Sequence, residues 1–260
     1  MRQTLTTLTI LICLTTYGQV DIKEVNKNLT KTSEMLYASK FEVSNQLYST
    51  FIHSLKKAKK DNLLSIARID STQWLNKDAY NKPYVDYYHI HPAFKDYPVV
   101  NISYDAAVLF CKWLTDEYNS SPKRKFKKVI FRLPTEKEWT IAAKGGNESA
   151  IFSWEGNDVK DKKGNYRCNM LRTGQGSIGN TNNLNGVVFI SLSVKSFVPN
   201  KFGLYNMCGN VAEMLDDKNI VKGGSWLDPI EEIKIGSKKT YDGSAKPWVG
   251  FRYFVEIIEK

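Results

Sequence analysis

Helical periodicity in this chain stops at Gly145-Gly146. Ahead of that pair, apolar residues recur every three to four positions in three stretches; beyond it they come in short runs separated by Gly, Asn and Pro. Helices first and strands last, with no βαβ alternation, predicts an α+β architecture with an antiparallel sheet. The helix that runs up to the pair lies in "RLPTEKEWTIAAKGG", residues 132–146. Thr135 and Glu138 fit a capping box, in which the Thr hydroxyl accepts from the N3 amide and the Glu carboxylate reaches back to the N-cap amide. Trp139, Ala142 and Ala143 then face inward, and the glycine pair supplies the left-handed stop. Glu136 and Glu138 are not a catalytic dyad: residues two apart on a helix do not face each other, and Glu138 is committed to the cap.

Two earlier helices carry the same kind of signal. In "FEVSNQLYSTFIHSLKKAKK" a short strand runs into a helix capped by Ser44, with Leu47, Tyr48, Phe51, Ile52 and Leu55 on one face and His53 off it. Ser103 caps the next, whose stripe is Ala106, Leu109, Phe110, Trp113 and Leu114, and "NSSP" at 119–122 ends it. Between them, residues 74–102 are rich in Tyr and Pro and lack helical periodicity, so they are expected to form an ordered loop packed by its own rings. The glycines of "GQGSIGNTNNLNG" fit neither phosphate-binding fingerprint. With 42% hydrophobic residues in 260, one large core is expected, and no repeat is evident.

Residues 1–18 pair an early charge, Arg2, with an apolar run from Leu8 to Leu14 and a small residue, Gly18. This predicts a secretory signal, too short to span a bilayer, followed by a polar lead-in at 19–34 and a domain at 35–260. Cys13 sits inside the apolar run, which argues against acylation there. Net charge falls from +10 to +9 on removal of Arg2. The basic runs at 56–60 and 123–128 read as solvated loops, and no recognition helix or stacking platform accompanies them, so nucleic acid is not an expected partner. Cys111, Cys168 and Cys208 then permit at most one intramolecular disulfide, and the absence of any CxxC excludes an ordinary structural zinc site.

Four blocks in chain order, "YPVVNISYDAAVLFCKWL", "RLPTEKEWTIAAKGG", "FGLYNMCGNVAEML" and "VKGGSWLDP...VGFRYF", resemble the formylglycine-generating enzyme or sulfatase-modifying factor family, from about Phe41 to Phe254. The resemblance implies an irregular fold related to C-type lectins, with little regular secondary structure. In that family the enzymes oxidise a sulfatase cysteine with copper held by two cysteines just after "GGS", thiolates being soft ligands that select copper(I). Here Asp228 and Ile233 stand at those positions, so copper is not expected and no catalytic residue is assigned. The resemblance also implies two structural calcium sites. One would use Cys208, Gly209, Val211 and the carboxylate of Glu213; the other has Asn169 and Asn185 as its nearest matches, with a charge lost at each Asn that replaces Asp.

"GNVAEML" lacks the two tryptophans of the family's "GNVWEW", which suggests a different surface partner. The aromatic stretch at 70–100 is similar to that of gliding-motility and type IX secretion lipoproteins carrying this domain. On an extended segment His89 and His91 would share a face, with Asp86 or Asp96 nearby as a third metal ligand; a packed loop in which His91 precedes Pro92 is the simpler reading. The expected function is an exported, periplasmic or secreted, non-catalytic member of the family that binds or assembles with an envelope protein or a glycan. A formylglycine-generating oxidase is the alternative that the lost thiols oppose. An iron-dependent oxidoreductase is another, and it would need histidines from a helical domain for which this chain has no room.

Overall fold

The computed structural model describes residues 19–75, 81–172 and 190–260. The expected signal segment at 1–18 and Asn185 lie outside these residues. The polar lead-in expected at 19–34 belongs to the folded body. Asp21 caps helix α1 (Ile22–Lys27) by accepting from the Lys23 amide, and strand β1 (Leu29–Lys31) pairs with β2 (Leu36–Ser39). Val20, Ile22 and Val25 are buried, so three apolar residues anchor a segment whose average composition is polar.

The first sheet has the order β1-β2-β8-β3, all antiparallel, with β3 at Lys128–Arg132 and β8 at Phe254–Glu259. The C-terminal strand thus inserts between elements from the chain's first half. Strand β3 begins inside the basic run: Val129 and Phe131 point into the core while Lys128 and Ile130 face out. That alternation is masked in the sequence by the lysines ahead of it. Helices α2 (Asn45–Lys57) and α5 (Tyr104–Ser120) are capped by Ser44 and Ser103 as expected; α5 packs on β3, and α2 and the shorter α3 (Asp61–Ile66) pack against α5 and each other. Tyr48, Phe51, Phe110 and Phe251 meet at ring distances of 5.3–5.9 Å. Leu47, Ile52, Leu109 and Trp113, expected on the buried faces, are half-buried at the margin of this core.

The second sheet has the order β6-β5-β4-β7, formed by β4 (Ala212–Met214), β5 (Ile220–Lys222), β6 (Lys238–Thr240) and β7 (Val249–Gly250). Its β4–β7 pair is parallel, an exception to the antiparallel expectation. The fold is α+β and low in regular structure: among the described residues between 147 and 211 there is neither helix nor strand, only an isolated bridge between Lys160 and Tyr166. The aromatic loop holds one short helix that periodicity cannot reveal, α4 (Lys82–Tyr87), opened by Pro83 and under two turns long. Its rings pack as expected, with Trp74 against Tyr84 and Tyr88 at 5.5 and 4.8 Å. No helix among the described residues is long and apolar enough to cross a membrane.

Helix α6 (Glu136–Lys144) carries the full capping box, and Gly145 closes it at φ 57°. Arg132 adds a fork onto Glu138, at 2.8 and 2.7 Å. Thr135→Ala removes one arm of the box and is expected to cost about 1 kcal/mol in urea denaturation. A change within error would mean that the hydroxyl's bond to the Glu138 amide adds nothing to the helix end.

Candidate functional site

Strand β5 runs into Gly223-Gly224-Ser225-Trp226, and the turn depends on the second glycine. Gly224 has φ 65°, and a Cβ there would lie 2.7 Å from Ile233 Cγ2 and 2.9 Å from the Glu232 carbonyl oxygen. Ile233 is fully buried as the apolar plug against this turn. Asp228 is also buried. Its Oδ2 accepts from the Ser225 amide and hydroxyl at 2.8 and 2.7 Å, and its Oδ1 accepts from Lys239 Nζ. Lys239 also reaches Glu232 at 3.0 Å and lies 5.0 Å over the Trp248 ring. Burial disfavours the Lys239 charge, yet the bonds to Asp228 and Glu232 outweigh it and hold its pKa above the ordinary lysine value. A cleft of about 430 Å³ opens beside this loop, lined among others by Lys222, Asp228, Glu232, Ser237, Lys238 and Lys239.

Behind the turn lies a buried charge lattice. Arg252 is 0% exposed. Its Nε and Nη2 donate to both oxygens of Glu213 at 2.6–2.9 Å, and its remaining N–H groups go to the carbonyls of Ser39, Lys40 and Tyr205. Trp139 Nε1 donates to Glu213 Oε2 at 2.7 Å. Four hydrogen bonds thus fill the acceptor capacity of the Glu213 carboxylate.

A second buried carboxylate, Glu42, has no guanidinium of its own. Asn210 Nδ2 donates to its Oε1 at 2.8 Å and Asn206 Nδ2 to its Oε2 at 2.9 Å. Burial, reinforced by the charge of Glu213 and opposed by Arg252 and the two amides, pushes the Glu42 carboxyl up to about 8. Asn206 Oδ1 is buried and has no hydrogen-bond partner. Two carboxylates therefore share one buried cation, with an orphan oxygen beside them.

The profile of the sulfatase-modifying factor enzyme 1-like domain matches residues 10–257. The chain belongs to this family. The formylglycine-generating enzyme of Thermomonospora curvata is 34% identical over 129 residues, covering 47% of this chain and 34% of that protein. The inactive C-alpha-formylglycine-generating enzyme 2 of Bos taurus is 29% identical over 145 residues, covering 52% of this chain and 40% of the relative. The matched region is thus well under half the length of these curated relatives. Among solved structures, CarF matches with TM-score 0.57 at 22% identity over 86% of this chain and 87% of its own. PvdO from Pseudomonas aeruginosa matches with TM-score 0.57 at 18% identity, over 85% and 80%. Both likenesses concern the fold.

Within the sulfatase-modifying factor family the two metal expectations are tested by the side chains in place. Copper does not fit at the positions after "GGS": Ile233 offers no donor atom, and Asp228 offers hard oxygens already held by Ser225 and Lys239. Calcium does not fit at Glu213, because its ligand oxygens belong to Arg252 and Trp139; this corrects the expectation that Glu213 is the charged ligand. Cys208, Gly209 and Val211 lie in the turn before it, with Cys208 and Val211 buried. Asn169 braces that turn, its Nδ2 donating to the Ile190 carbonyl at 2.9 Å and its backbone oxygen accepting from the Asn210 amide at 2.7 Å.

The histidine pair is taken apart by the local fold. Segment 82–88 is helical rather than extended, and His89 turns inward, its Nδ1 3.1 Å from Asn45 Oδ1. Burial holds its pKa down, at about 3. His91 Nδ1 accepts from the Ala93 amide and caps the turn Pro92–Phe94. Asp86 pairs with Lys82 and Asp96 with Lys195. Among the described residues no group of three His, Cys, Asp or Glu side chains is placed to hold a metal.

Proposed function

We propose that this chain is a non-catalytic member of the family, exported, and used as a binding or assembly module of the cell envelope toward an envelope protein or a glycan. The observation that carries the reading is the rebuilt loop after "GGS", where an ion pair and an apolar plug stand in place of two thiols. The match to an inactive relative agrees with it. The cleft beside Asp228 presents ammonium, carboxylate and hydroxyl groups of both signs, a surface suited to polar ligands rather than to an apolar chain.

The test is incubation of the purified protein with a peptide carrying a sulfatase cysteine motif, with copper(I) supplied. No aldehyde by mass spectrometry and no stoichiometric copper are the expected results. Aldehyde formation overturns the non-catalytic reading.

A further inference from the structure

Three cysteines among the described residues are free and buried, and no role so far uses them. Cys111 lies on α5 in the core cluster around Phe110 and Phe251. Cys168 and Cys208 belong together to a different cluster, built around Trp139 and Met207. The chain segments bearing these two run side by side. The Asn210 amide donates to the Asn169 carbonyl at 2.7 Å, and Gly209, with φ 83°, lies so close that a Cβ there would be 2.4 Å from the Asn169 oxygen and 3.5 Å from Cys168 Cβ. Each residue that follows a cysteine is thus locked against the other segment.

We propose that Cys168 and Cys208 form a dithiol/disulfide pair, a covalent modification site that fastens the 168–172 segment to the turn ahead of β4. Of the three cysteines among the described residues, the fold selects these partners because Cys111 is walled off in its own cluster. The bond forms by thiol–disulfide exchange with a small-molecule or protein disulfide. The Cys208 thiolate attacks one sulfur of the oxidant and expels a thiolate; the Cys168 thiolate then attacks the mixed disulfide at Cys208 Sγ and expels the second. Two protein thiols lose their protons and two electrons, and one disulfide of the oxidant becomes two thiols.

Burial pushes the Cys208 thiol up to about 11 and the Cys168 thiol higher still, so exchange in the closed native state is slow. Oxidation therefore accompanies folding or local opening. This inference stands apart from the proposed function, since purified protein and a supplied oxidant suffice to test it.

The full chain is treated with oxidised glutathione in two samples, one native and one held at its urea midpoint and then returned to buffer. Each is denatured, labelled with N-ethylmaleimide and mapped by mass spectrometry. In the second sample the expected result is a 168–208 cross-linked peptide pair with Cys111 labelled, and a melting temperature raised by roughly 5–10 °C that reductant reverses. Cys111→Ser should leave the cross-link and the shift in place, whereas Cys168→Ser should remove both. Full labelling of Cys111, Cys168 and Cys208 after the urea cycle, or a cross-link through Cys111, overturns the proposal.

Discussion

Arg252→Met is expected to remove about 3–5 kcal/mol of stability, a large share of what a domain this size holds. The guanidinium is fully buried, and each of its N–H groups has an acceptor: the Glu213 carboxylate and three backbone carbonyls from 39, 40 and 205. Without it, Glu213 retains only the Trp139 indole as donor, and a carboxylate with no cation must either stay charged out of water or take up a proton. Arg252→Lys should recover a minority of the loss, since an ammonium keeps the charge but cannot fork. The double substitution Arg252→Met with Glu213→Gln should recover more, because it removes the stranded charge. Urea denaturation of the three variants measures these differences. If Arg252→Met costs less than about 1 kcal/mol, the lattice is not what joins β2, β4 and the 205 loop.

Glu42→Gln should act in the opposite direction. In the unfolded chain this carboxyl ionises near 4.5, whereas in the fold it holds its proton until about 8. Between those values the folded state binds the extra proton, so stability is complete below about pH 4.5 and declines as pH rises to about 8. The whole decline is several kcal/mol, on the order of the shift multiplied by 1.4 kcal/mol per pH unit. In chelator, Gln at this position should therefore match the wild type at pH 5, exceed it at pH 8, and flatten the slope between. A wild-type midpoint that is flat in chelator from pH 5 to 8 would remove Glu42 as the unpaired buried charge.

The parts of the fold that were legible in the sequence are those dictated locally. Ser44, Ser103, Thr135 with Glu138, and the Gly145 stop each signal through residues within a turn of one another, and each is found in place. Family membership was legible from four ordered blocks spread along the chain, inside the region that the family profile matches. Strands β1, β3 and β6 were not legible: two are three residues long, and β3 hides its alternation behind lysines. The site suffered from the same limit. Asp228 and Ile233 were readable as substitutions, but Lys239 lies eleven residues beyond Asp228 and Glu42 lies 164 residues from Asn206, so neither partnership leaves a local trace. The calcium role of Glu213 was what the resemblance implied, and its partner in the fold, Arg252, lies 39 residues away in the "GFR" block and leaves no local trace.

The Gly224–Ile233 contact and the Asp228–Lys239 pair make the loop hard to convert one residue at a time. Installing cysteines at 228 and 233 would strip Lys239 of its buried counter-ion and open a hollow beside a glycine whose neighbour has shrunk. A two-thiolate copper site in this loop would thus demand several coordinated replacements, each costly on its own, because the loop's packing and its ion pair lock one another in place.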